Sequence, residues 1–267
     1  MLRPTMARNN ISDLPLNSLA GKRVVVTGAS SGIGRAIALA AARAGADIAT
    51  TYRTNLAGAE RVAEEVRRMG RRAVVIPADI AQDEDLRRLA GVVRAEFGQV
   101  DVWINNAGAD ILTGPNARLG RVAKLDLLLA VDLRGTMLAS WTAAELMREN
   151  SGGGVIINMS WDGALQGLAG ENPELFAAVK GGVLSFSRSL ARSLAPAIRV
   201  NVLGPGWIET AFGAEAPPRF KERVTDQIPL RRWGTPEDVA AAAVFLASDA
   251  ARYMTGQMIL VNGGEVM

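Results

Sequence analysis

The constraint that decides the fold is an alternation of two hydrophobic periods along the whole chain. Residues 23–27 (Arg-Val-Val-Val-Thr) are a short β-branched run of the kind that forms a strand buried on both faces. From Gly32 to Ala44, Ile33, Ile37, Ala40 and Ala41 fall at helical spacing, and Ile48–Thr51 reads as a second strand. Leu56, Ala59, Val62, Ala63, Val66 and Met69 then recur at three and four, a helix stripe ended by Gly70. Ala73–Ile76 is a third strand, stopped by Pro77. A helix carrying Leu86, Leu89, Ala90, Val93 and Phe97 closes at Gly98, and Val102–Asn105 is a fourth strand. The second half continues with a long helix around Leu125–Glu149, a strand at Val155–Met159 and a helix over about Leu175–Leu194. A strand at Arg199–Leu203, a helix from Pro236 to Leu246 and a strand at Met258–Val261 complete it. No linker or internal repeat interrupts the series. This predicts an α/β chain with a doubly wound parallel sheet of about seven strands, helices on both faces, in a single domain.

Composition removes whole classes of chemistry. The 267 residues include no Cys and no His, which excludes disulfides, thiol nucleophiles, imidazole bases and His/Cys metal sites. Only two tyrosines occur, Tyr52 and Tyr253. Thirty basic against 27 acidic side chains leave a formal charge of +3, too small a surplus to imply a nucleic-acid partner. No apolar run approaches the roughly 18 residues that span a bilayer, so no membrane association and a cytoplasmic location are expected. Residues 1–20 carry Arg3, Arg8, Asn9, Asn10 and Asp13 without a continuous apolar stretch. They are expected to form a flexible N-terminal arm, not a secretory leader.

After the first predicted strand comes Thr27-Gly28-Ala29-Ser30-Ser31-Gly32-Ile33-Gly34. Glycines let a backbone approach a pyrophosphate closely, and the free N–H groups at a helix start favour its negative charge. The spacing differs from the commoner Gly-x-Gly-x-x-Gly, and a plain Gly-rich turn is the alternative reading. Its place between a strand and a helix favours phosphate. Further motifs follow in order: Asp79-Ile80 after the third strand, Asn105-Asn106-Ala107-Gly108 after the fourth, Pro205-Gly206 with Ile208 and Thr210, and Asn262-Gly263-Gly264 near the end.

With these motifs the chain resembles the short-chain dehydrogenase/reductase family over about residues 20–264. The resemblance implies one Rossmann-like dinucleotide-binding domain over residues 21–267, with a substrate lid at about 207–232. It implies a small-molecule substrate and a homodimer or homotetramer built through two long central helices. It assigns Gly28, Ser30, Ser31, Gly32, Ile33 and Gly34 to the pyrophosphate and Asp79 and Ile80 to the adenine. Asn106, Ala107 and Gly108 also fall to the cofactor, while Pro205, Gly206, Ile208 and Thr210 face the nicotinamide carboxamide.

An NAD-preferring site usually places a carboxylate at the end of the second strand, about 20 residues beyond the glycines. Here Tyr52 stands there, 18 residues after Gly34, followed by Arg53. The missing carboxylate removes repulsion toward a 2′-phosphate, and a guanidinium can bind one with paired hydrogen bonds. NADP(H) is therefore expected, with NAD(H) as the alternative and Arg53 then a solvated strand-end residue.

The catalytic positions depart from the family pattern. There, a Tyr four residues before a Lys gives the proton, a Ser after strand five polarises the carbonyl, and a helix Asn holds a water. Lys180 is present in Phe176-Ala177-Ala178-Val179-Lys180, so Phe176 occupies the place of the proton donor. A phenyl ring has no ionisable proton. In Ile157-Asn158-Met159-Ser160-Trp161 the usual catalytic serine falls on Trp161, leaving Ser160 either functional or satisfying a local backbone group. In Ala130-Val131-Asp132-Leu133-Arg134-Gly135-Thr136 the expected Asn is Asp132. A carboxylate in an apolar helix wants a partner, and Lys180 is the obvious cation; a structural ion pair or a solvent-facing Asp is the bland reading.

Asp in place of Asn, Lys kept and Tyr lost resembles the 2,4-dienoyl-CoA reductase branch of the family. That implies reduction of a conjugated C=C, as in an enoyl or dienoyl thioester, with Asp132, Lys180 and a water supplying the proton. A catalytically inactive NADP(H)-binding homologue with a scaffold or sensing role is one alternative. A weak 3-oxoacyl or ketone reductase using Ser160, Lys180 and water is another. In the lid segment, Arg219, Lys221, Arg223, Arg231 and Arg232 could attract the phosphates of a thioester carrier or simply form a solvated face. Trp161 and Trp207 either wall the pocket or pack.

Overall fold

The computed structural model describes residues 18–267. Most of the expected N-terminal arm lies outside them, and its last residues belong to the domain. Leu19 is buried, and its N–H donates to the Ala44 carbonyl at 2.8 Å.

The β-branched runs make a sheet of seven parallel strands, as the alternation predicts: β1 (Arg23–Val26), β2 (Asp47–Tyr52), β3 (Ala73–Pro77), β4 (Val102–Asn105), β5 (Gly154–Met159), β6 (Ile198–Pro205) and β7 (Met258–Val261). Their spatial order is β3-β2-β1-β4-β5-β6-β7. The order reverses between β1 and β4, so a crevice opens beyond the carboxyl ends of those two strands.

Alternation along each strand feeds two cores. Val24 and Val26 of β1, Ile104 of β4 and Ile157 of β5 pack with helices α1 (Gly32–Arg43), α2 (Leu56–Arg68) and α9 (Pro236–Ala247). Val25, Trp103, Ile156 and Val200 point the other way, onto α3 (Asp83–Phe97), α5 (Thr136–Arg148) and α6 (Glu171–Leu194). Burial on both faces is what a continuous apolar strand requires. The lid carries two shorter helices, α7 (Ala211–Glu215) and α8 (Pro218–Gln227).

The helix expected around Leu125–Glu149 differs in kind. It runs as α4 (Arg121–Leu128), a wide π turn at Leu129–Gly135, and then α5. One extra residue in a helical turn redirects the side chains it carries, and such turns concentrate at functional sites. Here it turns Asp132 inward, with 2% of the residue exposed.

Polar groups also tie the central strands to the helices. Asn105 and Asn158 are register partners on β4 and β5, and Asn105 Nδ2 donates to Asn158 Oδ1 at 2.8 Å. Asn105 also meets Ser140 of α5, and Asn158 donates to Ser187 of α6 at 2.9 Å. All four are buried and all are satisfied, as buried amides must be.

Candidate functional site

The glycine turn is held by the loop after β4. Thr27 Oγ1 accepts from the backbone N–H groups of Asn106 and Ala107, both at 3.0 Å. In return Asn106 Nδ2 donates to the carbonyls of Thr27 (2.9 Å) and Gly28 (3.2 Å). The fit is tight. A Cβ on Gly34 would lie 2.4 Å from both Asn106 Nδ2 and the Gly28 oxygen. Gly28 has φ +65°, and a Cβ there would come within 2.8 Å of Ala107 Cα. Only glycine makes this turn and leaves α1's first N–H groups facing the crevice.

One cleft of about 630 Å³ lies over this turn. Gly28, Ser30, Ser31, Ile33 and Gly34 form its floor. At one end it is lined by Tyr52, Arg53, Asp79 and Ile80, and beside the floor by Asn106, Ala107 and Gly108. At the other end stand Asp132, Phe176, Lys180 and Thr210. Of the remaining expected cofactor residues, Gly32 and the lid-root residues Pro205, Gly206 and Ile208 stand outside the cleft's lining. The glycine turn and the extended shape of the cleft suit a dinucleotide.

Lys180 and Asp132 meet at 2.8 Å, with side-chain exposures of 11% and 2%. Asp132 Oδ1 accepts the Ala109 N–H at 2.7 Å, and Lys180 Nζ donates to the Met159 carbonyl at 3.3 Å. Gly108 leaves room for this, since a Cβ there would sit 3.0 Å from Asp132 Oδ2. An ammonium has three donors, so two are committed and one stays available at the cleft. Ser160 is differently occupied: its buried hydroxyl donates to the Lys180 carbonyl at 2.9 Å, and it does not line the cleft. That is a local backbone bond.

Where a phenol would be expected, the Phe176 ring lines the cleft, and the Trp161 ring packs against it at 6.3 Å between centroids. Tyr253 is fully exposed, and Tyr52 lies at the Arg53 end. Among the described residues, no tyrosine reaches the Phe176 end.

The lid root holds groups the sequence analysis did not single out. Asp162 is 2% exposed. Its carboxylate accepts from Asn262 Nδ2 at 3.2 Å and from the Gly163 N–H at 2.7 Å, and it lies 3.0 Å from where a Gly206 Cβ would be. Burial above all, with neighbouring Glu265, raises its pKa against the lowering effect of the Asn262 and Gly163 hydrogen bonds, and the outcome is about 6. Glu265 Oε1 accepts from Trp207 Nε1 at 2.9 Å, while its Oε2 is buried without a partner. The only hint in the sequence was an Asp just beyond an apolar strand and a Glu just after Asn262-Gly263-Gly264.

The lid is aromatic. The rings of Trp207, Phe212, Phe220 and Trp233 pack at centroid distances between 5.4 and 6.3 Å. Most of its bases are internally matched: Lys221 to Glu209 at 2.6 Å, Arg232 to Asp238 at 2.6 Å and Arg231 to Asp226 at 3.4 Å. Arg223 stacks over Phe220 at 5.3 Å. Among the described residues, no group of three or more acidic side chains is placed to hold a metal ion, and no helix is long and apolar enough to cross a membrane.

Comparisons with known proteins agree with this geometry. Residues 28–265 match the family model described as enoyl-(acyl carrier protein) reductase. An uncharacterized oxidoreductase of Mycobacterium tuberculosis is 39% identical over 255 residues, 94% of either chain. The 3-oxoacyl-[acyl-carrier-protein] reductase of Staphylococcus epidermidis is 35% identical over 92% of this chain and 99% of its own. A short-chain dehydrogenase from Burkholderia cenocepacia, solved with NADP, superposes with a TM-score of 0.83 at 33% identity, covering 92% of this chain and 98% of that one. A 7α-hydroxysteroid dehydrogenase solved with NADH and a 7-oxo bile acid superposes with a TM-score of 0.85 at 31% identity, covering 94% of this chain and 96% of that one.

Proposed function

Because this chain belongs to the short-chain dehydrogenase/reductase family, we propose that it is an NADP(H)-dependent reductase of an electron-poor double bond, working without a side-chain phenol. One observation carries the reading. A single cleft is lined by Arg53, the glycine turn and the buried Lys180–Asp132 pair, and a phenyl ring stands at the place of the acid.

The residues divide the work along that cleft. Ser30, Ser31 and the N–H groups of the glycine turn would hold the pyrophosphate. Asp79 and Ile80 would border the adenine, and Arg53 the 2′-phosphate. Pro205, Gly206, Ile208 and Thr210 would border the carboxamide. When bound, a reduced nicotinamide supplies a hydride. Lys180 uses two donors on Asp132 and Met159, and its third would hold the ribose or a water. Asp132 fixes the ammonium in place and gives such a water its acceptor.

A proton reaching the product by way of this water suits a conjugated C=C. Hydride addition to an enoyl or dienoyl thioester places charge on an oxygen, which needs stabilising, and the proton then goes to carbon. The description of the matched family model supports this acceptor. Reduction of a 3-oxoacyl substrate, named for the staphylococcal relative, would have to proceed with Lys180 and water alone. The bond from Ser160 to the α6 backbone favours a second reading, a cofactor-binding homologue without turnover. Assembly as a homodimer or homotetramer is part of the proposal, supported by a Trp141–Phe186 contact at 5.9 Å that leaves Trp141 48% exposed on α5.

Titration with NADPH and NADH, followed by panels of enoyl thioesters and ketones, tests the reading. Tighter NADPH binding and thioester reduction that is lost in Asp132→Asn are expected. Preference for NADH would overturn the cofactor assignment. Ketone reduction that leaves enoyl thioesters untouched would overturn the reaction.

A further inference from the structure

We propose that residues 262–266 form a clasp across both ends of the lid, and that a proton on Asp162 keeps it shut. The lid then opens toward neutral pH and closes in mild acid. The inference goes beyond the reductase reading and stands without it.

The first ground is the path of the chain beyond β7. At the far end of the lid, the Gly263 carbonyl accepts the Leu230 N–H at 3.1 Å. At the near end, Glu265 Oε1 accepts from Trp207 Nε1 at 2.9 Å, and the Val261 carbonyl accepts the Gly206 N–H at 3.1 Å. The fit leaves no slack. A Cβ on Gly263 would lie 2.6 Å from Ile228 Cγ2, and one on Gly264 would lie 3.1 Å from Pro229 Cγ. Asn262 Nδ2 fastens the segment twice, donating to the Val266 carbonyl at 2.9 Å and to Asp162 at 3.2 Å. Thr210, three residues past Trp207, lines the cleft, so movement of the lid root reaches it.

The second ground is that the lid is otherwise tied largely to itself. Lys221 pairs with Glu209 and Arg231 with Asp226, and the rings of Trp207, Phe212, Phe220 and Trp233 pack on one another. Such a unit can swing as one body about its ends, where Ile208 is buried in the core and Arg232 is paired with Asp238 at α9.

The third ground is that the shut state carries unmet polar demands. Glu265 Oε2 and Trp233 Nε1 are both buried without a partner, and opening would hydrate them. The charged group that faces Asp162 from the segment after β7 is Glu265, another acid. β6 and the lid root bring Gly204 and Gly206 against it, which carry no charge. The lid, α9 and α6 present Lys221 with Glu209, Arg232 with Asp238 and Lys180 with Asp132, each already paired. Losing the proton therefore sets a second negative charge beside Glu265. Burial chiefly holds the shut-state pKa at about 6, against an ordinary 3.8 for a hydrated carboxyl. Below about pH 4 both states carry the proton, and between about pH 4 and 6 only the shut one does. At tenfold per pH unit, opening gains up to about 100-fold across that window and is level above it.

Hydrogen exchange of the full chain without cofactor, from about pH 4 to 8 and divided by intrinsic rates, tests this. The reporters are the Gly206 and Leu230 amides, whose bonds close the clasp, with the β4 amides as core reference. Protection of both reporters should stay below that of β4, fall by at least ~10-fold up to about pH 6 and then level off. It should be flat with pH in Asp162→Asn and fall less in Glu265→Gln. Protection that ignores pH in the native protein, or falls equally in Asp162→Asn, would overturn the proposal. So would reporters that exchange as slowly as β4, since the lid root would then open only with the whole molecule.

Discussion

Replacing Asp162 by Asn should change how stability depends on pH, and the structure sets the size of the change. Asp162 sits almost fully buried among Gly163, Gly206 and Asn262, with Glu265 close enough to disfavour its charge. Its pKa rises from an ordinary 3.8 to about 6 in the folded protein. At roughly 1.4 kcal/mol per pH unit, that difference corresponds to about 3 kcal/mol, an upper bound once the site relaxes. The folded state holds this proton more tightly than the unfolded chain. Stability from this group is therefore complete below about pH 4, falls as pH rises toward 6, and is fully lost above it. Asn keeps the side-chain shape and an acceptor oxygen but cannot ionise. Urea denaturation of both proteins from about pH 4 to 8 should show a difference that grows up to about pH 6 and is level above it. The variant should be the more stable at the alkaline end, by about 1–3 kcal/mol. A difference that is flat with pH, or one that favours the native protein at pH 8, would refute the assignment of a buried, proton-holding carboxyl.

Other substitutions probe other parts of the site. Gly34→Ala drives a methyl into Asn106 and the Gly28 carbonyl; it should cost about 1–3 kcal/mol of stability in thermal melts and abolish NADPH binding in a fluorescence titration. Arg53→Glu should weaken NADPH by at least ~10-fold, about 1.4 kcal/mol, while leaving NADH nearly unchanged, as measured by calorimetry. Phe176→Tyr restores a phenol four residues before Lys180 and should raise ketone reduction by roughly 100-fold or more in an NADPH absorbance assay. Combining Asp132→Asn with Lys180→Met removes both buried charges; chemical denaturation should find it no less stable than the native protein, and steady-state kinetics should find no turnover.

How much of this was legible depends on which residues carry the signal. Strands β4 and β7 have the expected bounds; β4 is buried throughout, as its short run among apolar neighbours requires, whereas β7 at the sheet edge is half-buried. Helix α6 begins at Glu171, four residues before the expected Leu175, since its first turn is polar and contains Pro173, which a first turn accepts. The π turn left no trace, because one widened turn hardly alters the spacing of apolar residues. Asp132 and Lys180 were readable as partners because a carboxylate among leucines and valines must find a cation. Asp162 and its neighbour Asn262 lie 100 residues apart, and no local pattern announces that β5, β6 and the residues after β7 converge there. The basic lid failed as a guide for the opposite reason: Lys221, Arg231 and Arg232 are conspicuous in sequence, yet each is matched to an acid in the fold.

Phe176 and Trp161 stand where the family resemblance leads one to expect hydroxyls, and the buried charges lining that end of the cleft are Lys180 and Asp132. A phenol and a serine stabilise negative charge developing on an oxygen. The Lys180–Asp132 pair, closed at 2.8 Å, leaves one ammonium donor for a water in their place. A reaction that sends its proton to carbon by way of water suits that arrangement better than one that needs an acid at oxygen.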